Sequence, residues 1–287
     1  DVWMDILPSF NYAKLGLKMA LLSDRFDVLV DKHFDGKSEL TIWRRIRIRK
    51  DKGPKAKLYV DHSVLAFLRS NKQIWDRSGI KLDLFLPLYM TDVKLIWDVF
   101  TREIWPLFAK SIRHLSFHAD NLENLRRRIS PTLLTDLDQL YSIDSGALFP
   151  DGIADDGPNA TAGQALSKWL HTPSKNGQPK QLHRNNYFGP PKLEWVNNFK
   201  ETFLRATTSV AYNVRLELLV ASQMNIVEPF ELVNEMTQEK LTLTKDEEIW
   251  LLKRCPIVGE TATVQWEKDE NLDNLNGVIF HLYHDCI

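Results

Sequence analysis

From residue 63 onward the chain repeats itself in kind. A stretch with helical spacing of apolar residues gives way to a short apolar strand, and the pair recurs about five times before residue 218. Val64, Leu65 and Leu68 precede Leu82, Leu84 and Leu86. Val93, Ile96, Trp97, Phe100 and Ile104 precede His114-Leu115-Ser116-Phe117. Leu122, Leu125, Ile129, Leu133, Leu134 and Leu137 precede Leu140-Tyr141-Ser142-Ile143. Ala162, Ala165, Leu166 and Trp169 precede Lys180-Gln181-Leu182-His183, and Trp195, Phe199 and Phe203 precede Val214, Leu216 and Leu218. A single helix–strand unit of this size cannot bury its own apolar face, so neighbouring units must stack. The strict leucine-rich consensus is absent, and the expectation is an irregular leucine-rich-repeat-like α/β layer.

The two ends follow other rules. Residues 1–34 carry apolar side chains at Val2, Ile6, Leu7, Phe10, Leu15, Leu17, Leu21, Leu22, Phe26 and Leu29, the spacing of short amphipathic helices. Asp35-Gly36 is a turn signal. Residues 40–50 switch to period two, with Ile42, Ile46 and Ile48 on one face and Trp43, Arg45, Arg47 and Arg49 on the other, and a second strand is expected at Lys57–Val60. After Pro229 the segments Phe230–Leu232, Lys240–Leu243, Ile249–Leu252 and Val278–Leu282 read as strands with short connections, hence a small antiparallel C-terminal region. The division that follows is 1–36, 37–228 and 229–287.

Bulk properties narrow the function. A net charge of −1 provides no field that would draw the chain to nucleic acid or an anionic membrane. No run approaches the ~18 apolar residues of a membrane span. The opening residues Asp1–Asp5 lack a basic region followed by an apolar core, so no signal peptide is read there. Two cysteines, Cys255 and Cys286, are too few for a disulfide framework and suit free thiols in the cytoplasm or nucleus; a signal peptide upstream of Asp1 would instead make the chain secreted. In that setting the sequon at Asn159 is inert.

Catalytic and metal chemistry finds no footing. His281, His284 and Cys286 lack a fourth ligand at a usable spacing. Gly157–Gly163 lacks the Lys-Ser/Thr of a phosphate loop. The basic run Arg44–Lys57 reads as a solvated strand face, and Ser130-Pro131 as a helix cap after Arg127-Arg128. No nucleophile, base and orienting group fall into a known pattern. The expectation is therefore a non-enzymatic protein with no cofactor, no metal and no catalytic residue. The apolar face of residues 1–34 either packs on the following domain or waits for a partner.

The N-terminal pattern Ile6-Leu7, Phe10, Leu15, then Leu21-Leu22-Ser23-Asp24-Arg25-Phe26, resembles the later part of an F-box. Leu15–Phe26, Glu39–Trp43, Asp61–Asn71, Arg102–Phe108, Pro158–Leu170 and Phe230–Glu235 extend that resemblance along nearly the whole chain, to a large family of nematode F-box-like proteins. The resemblance implies a substrate-recognition subunit of a cullin–RING ubiquitin ligase. A Skp-type adaptor would be bound through Ile6, Leu7, Leu15, Leu21, Leu22, Arg25 and Phe26, and an unknown protein substrate through the α/β domain. Strand residues that alternate with core leucines, namely His114, Ser116, Tyr141, Ser142, Gln181 and His183, are the expected docking positions. Lys14 and Asp24 depart from the usual F-box residues, and the other reading is a stand-alone interaction module or secreted parasite effector whose degenerate F-box binds no adaptor.

Overall fold

The computed structural model describes residues 48–50, 58–60, 65, 66, 69, 72, 76, 79–85, 93–146, 148–150, 153–175, 177–186, 193–218, 227–246, 249–257 and 276–281. Segment 1–36, with all seven positions expected to bind an adaptor, lies outside them. The chain forms two compact units, Asp1–Ser111 with Asp269–Ile287, and Ile112–Lys268. The changes of sequence pattern at 36/37 and 228/229 are a different division from this one.

In the first unit, β1 (Ile48–Lys50) pairs antiparallel with β2 (Leu58–Val60). Strand β3 (Ile80–Phe85) is buried through Ile80, Leu82 and Leu84. Helix α1 (Val93–Val99) runs into a π-helical turn, Phe100–Ile104, and then α2 (Trp105–Phe108). The wide turn has a local cause. Pro106 carries no N–H and cannot continue an α-helical ladder, and the Trp105 N–H reaches back to Phe100 O, five residues away. The bulge keeps Trp97, Phe100 and Trp105 in one buried aromatic cluster.

The second unit holds the repeating rhythm. Its elements are β4 (Ile112–Ser116), α3 (Ala119–Arg128), α4 (Leu133–Asp136), β5 (Ser142–Asp144), α5 (Ala162–Leu170), β6 (Lys180–Asn186), α6 (Leu193–Arg205) and β7 (Tyr212–Leu218), then β8 (Phe230–Asn234), β9 (Glu239–Asp246) and β10 (Ile249–Pro256). Strands β4 to β7 are parallel and adjacent in chain order, and each crossover carries a helix. The sheet then turns antiparallel, in the order β7-β10-β9-β8. A mixed α/β sheet with helices thus stands where the helix–strand rhythm predicts one. One expectation is corrected. The last strand, β11 (Asn276–His281), pairs in parallel with β3 and does not belong to the antiparallel group. Its continuous Val278-Ile279-Phe280 run is the pattern of a parallel strand, not of an alternating antiparallel one.

One row of apolar side chains crosses the second unit in register: Leu115, Ile143, Leu182, Val214, Leu252 and Leu243. All six are buried, as are Leu122, Leu125, Ala165, Leu166, Trp169, Trp195, Phe199 and Phe203 on the helices. Each large side chain of this kind contributes about 1.5–3 kcal/mol by leaving water. Helix α5 is capped by Thr161, which accepts from the Gln164 N–H while the Gln164 side chain accepts from the Thr161 N–H. The cap expected at Ser130-Pro131 is displaced. Helix α4 begins at Leu133, and the Ser130 hydroxyl donates to Asp136 Oδ2 at 3.0 Å.

Charges are sealed inside this core. Arg254 and Glu239 are 2% and 0% exposed and bond at 2.6 Å. Arg254 also donates to Thr208 O, while Glu239 Oε1 accepts from Ser209 Oγ and the Val210 N–H. Arg126 on α3 donates to Pro131 O, Ala160 O and Gly157 O, tying the 155–160 loop down. Asn234 donates through Nδ2 to Phe203 O and Ala206 O at the end of α6, and its Oδ1 accepts from the Met236 and Thr237 N–H groups. That turn seats Gln238 at φ 54°, a conformation a non-glycine residue keeps only when its surroundings enforce it. Removing one member of a buried pair strands its partner's charge. We expect Glu239→Gln to cost about 3–5 kcal/mol in urea unfolding, and the double replacement Glu239→Leu with Arg254→Met to recover most of that loss. Near-wild-type stability of the single variant would show that the pair does not hold the core.

Candidate functional site

Strand alternation gives the sheet of the second unit two unlike faces. One face meets the helices. Lys180 donates to Trp169 O and Thr172 O at the end of α5, Arg254 lies over the Phe203 ring of α6, and Tyr212 meets the Phe199 ring. The other face carries polar residues in rows, and no described helix of this unit packs on it. Ser116, Asp144, His183 and Arg215 stand side by side across β4, β5, β6 and β7. A second row runs His114, Ser142, Gln181, Asn213, Lys253 and Thr242, continuing to Glu231 on β8. Neighbours within a row lie about 4.8 Å apart, the strand spacing.

Exposure divides these rows. Ser116, Asp144, Gln181, His183, Asn213, Arg215, Lys253 and Thr242 are half-buried, and Glu231 is exposed. At the β4–β5 end the face closes: His114 is 4% and Ser142 0% exposed, joined Nδ1 to Oγ at 2.9 Å. Of the expected docking positions, then, Ser116, Gln181 and His183 lie on the accessible part. His114 and Ser142 point the same way but are buried, and Tyr141 is buried as well. The outward reading of His114 is therefore corrected. Leu115 and Leu182 point into the core, as alternation requires, and Leu140, just before β5, is buried as well. Asn213, Arg215 and Lys253 belong to the face and were not singled out from the sequence. The signal for Asn213 and Arg215 is present in Tyr-Asn-Val-Arg-Leu (212–216), where polar residues alternate with apolar ones.

The chemistry of the open rows is hydrogen bonding. Gln181 Oε1 and Asn213 Oδ1, in register on adjacent strands, are both shielded from solvent and have no hydrogen-bond partner. An unmet buried acceptor costs about 1–3 kcal/mol, and a donor that reached it would recover that amount. Next to this pair stand the donors Arg215 and Lys253. The His114–Ser142 contact has the composition of a base and a nucleophile, but a hydroxyl with 0% exposure admits no substrate, so the pair reads as core. Arg184, one residue beyond His183, points to the helix face. There it stacks on Phe149 at 3.5 Å, and burial lowers its pKa to about 10.

Among the described residues no group of three or more His, Cys, Asp or Glu side chains is placed to hold a metal ion, and no helix is long and apolar enough to cross a membrane. Cys255 is a free thiol, and burial pushes its pKa up, which makes it a poor nucleophile. Set against protein-family models, curated proteins and solved structures, the chain matches none of them.

The two halves of the long row should respond differently to truncation. His114→Ala strands a fully buried hydroxyl and should cost about 1–3 kcal/mol. Gln181→Ala removes an unmet acceptor and should leave stability unchanged or raise it by up to about 1–3 kcal/mol. Thermal unfolding of both variants would decide, and the reverse order would remove the distinction between closed and open parts of the face.

Proposed function

We propose that this chain is a non-catalytic recruiting protein, with a protein target docking on the open sheet face and a Skp-type adaptor of a cullin–RING ligase held by the N-terminal segment. The observation that carries the docking half is the row of half-buried polar side chains Gln181, Asn213 and Thr242, running to exposed Glu231 on a face that no described helix of its unit covers. A polypeptide laid across the rows would pair with the half-buried polar side chains of this face and with exposed Glu231. Such a surface selects by hydrogen-bond pattern and shape.

The adaptor half rests on the F-box-like spacing of Ile6, Leu7, Leu15, Leu21, Leu22, Arg25 and Phe26. An apolar helix face of this kind gains its binding energy by burial, and a charge placed at its centre would be left unpaired there. The other reading, a stand-alone interaction module or secreted effector, keeps the docking face and drops the adaptor, and the departures at Lys14 and Asp24 favour it.

Purified Skp-type adaptor separates the two readings. The wild-type chain should retain it, while Leu22→Asp and Phe26→Asp should each weaken retention at least about tenfold, the effect of roughly 1.4 kcal/mol. Equal retention by all three chains would overturn the assignment of the binding residues. No retention by the wild type would overturn the ligase reading and leave the stand-alone one.

A further inference from the structure

The chain leaves α5 through His171, Thr172 and Pro173, and the ring of His171 turns back into the core. It stacks on Tyr212 with centroids 5.5 Å apart and 19° between planes, and meets Phe199 edge-on at 5.4 Å. Its Nδ1 is shielded from solvent and has no hydrogen-bond partner. A neutral imidazole tolerates this, because one nitrogen can stay unprotonated; an imidazolium has donors on both and would leave one unmet.

The groups that face the ring from each packed element are mostly cationic. Helix α5 contributes Lys168, β6 contributes Lys180 and β10 contributes Arg254. Strand β7 contributes the Tyr212 phenol, whose pKa burial raises, so it stays neutral. The one carboxylate in this cluster of described side chains is Glu239, and both of its oxygens are already engaged by Ser209, Val210 and Arg254. Helix α6 contributes only the Phe199 ring. A proton on His171 Nδ1 would therefore meet like charges, an apolar stack and no free acceptor among the described side chains.

We propose that His171 is an acid-operated latch: the neutral ring holds the turn after α5 against Tyr212 and Phe199, and protonation expels it into water and releases the turn. Release breaks the bonds of Thr172 to Lys180 Nζ, Trp169 O and Lys168 O, so protonation of the ring has to outweigh them; Thr172 and Ser174 are half-buried and Pro173 is exposed. The working range follows from the two states. Burial, aided by Arg254, Lys180 and Lys168, lowers the pKa of the seated ring to about 4 from the ordinary 6.5. Above pH 6.5 neither the seated nor the expelled ring carries a proton, and the latch is fully stable. As pH falls from 6.5 to about 4 only the expelled ring takes up a proton, so the released form gains population. Lys180, whose pKa burial lowers to about 7, is already mostly charged throughout that range and does not relieve the repulsion.

Hydrogen exchange of the full chain, compared at pH 7 and pH 4 with exchange times scaled for the intrinsic rate, tests this. The released population should rise on the order of a hundredfold, seen as lost protection in peptides covering residues 166–180, with β9 and β10 still protected. His171→Phe should keep that protection at both pH values, and His171→Gln serves if the Phe variant does not fold. Three results would overturn the latch: unchanged protection in the wild type, equal loss in the neutral variant, or loss spread over β9 and β10, which is acid unfolding of the whole unit.

Discussion

The core of the second unit is organised around one buried ion pair. Arg254 and Glu239 join neighbouring strands, but their reach is wider. Through Thr208 O, Ser209 Oγ and the Val210 N–H the pair fastens the chain between α6 and β7 to the antiparallel strands. The same guanidinium lies over the Phe203 and Tyr212 rings, so the α6 packing and the start of β7 share its position. Sealing two charges costs several kcal/mol per ion before their attraction is counted, which makes the full set of hydrogen bonds a requirement and not an embellishment. Burial lowers the pKa values of nearby His171 and Lys180, and for His171 the Arg254 charge adds to it.

Much of the fold is legible in the residues. The helix–strand alternation places β3 to β7 and the helices between them because each element buries a regular stripe, and period is a property of sequence. Thr161 with Gln164 marks the start of α5 for the same reason: the cap needs only residues three apart. What escaped depends on distance in the chain. The partner of β11 is β3, nearly two hundred positions earlier in register, and no local pattern encodes that. The displaced start of α4 was decided by Asp136, whose carboxylate draws in Ser130 and Thr132 together.

The candidate surface was legible in direction but not in extent. Alternation names the side on which Gln181 and His183 stand, because every second residue must share it. It does not say how far along a row the covering ends, and so His114 and Ser142 read like Ser116 while being shut away. Buried charge is the harder case. Lys180, Arg126, Glu239 and Arg254 look like surface residues in a sequence, since such side chains seldom go inside without partners. Their partners are mainly backbone carbonyls and N–H groups, which every residue supplies and no residue type announces.

The antiparallel order of β8, β9 and β10 has a consequence for how that ion pair comes to be. Glu239 and Arg254 lie on consecutive strands of one meander, so they become neighbours through short-range pairing alone. Strand β10 then joins β7 across a far longer separation, opposite residues 212–217. If the meander forms first, its two charges meet while water still surrounds them, and what β7 and α6 finally enclose is a nearly neutral unit. The chain thereby avoids a state in which a lone guanidinium or a lone carboxylate must enter an apolar interior unaccompanied.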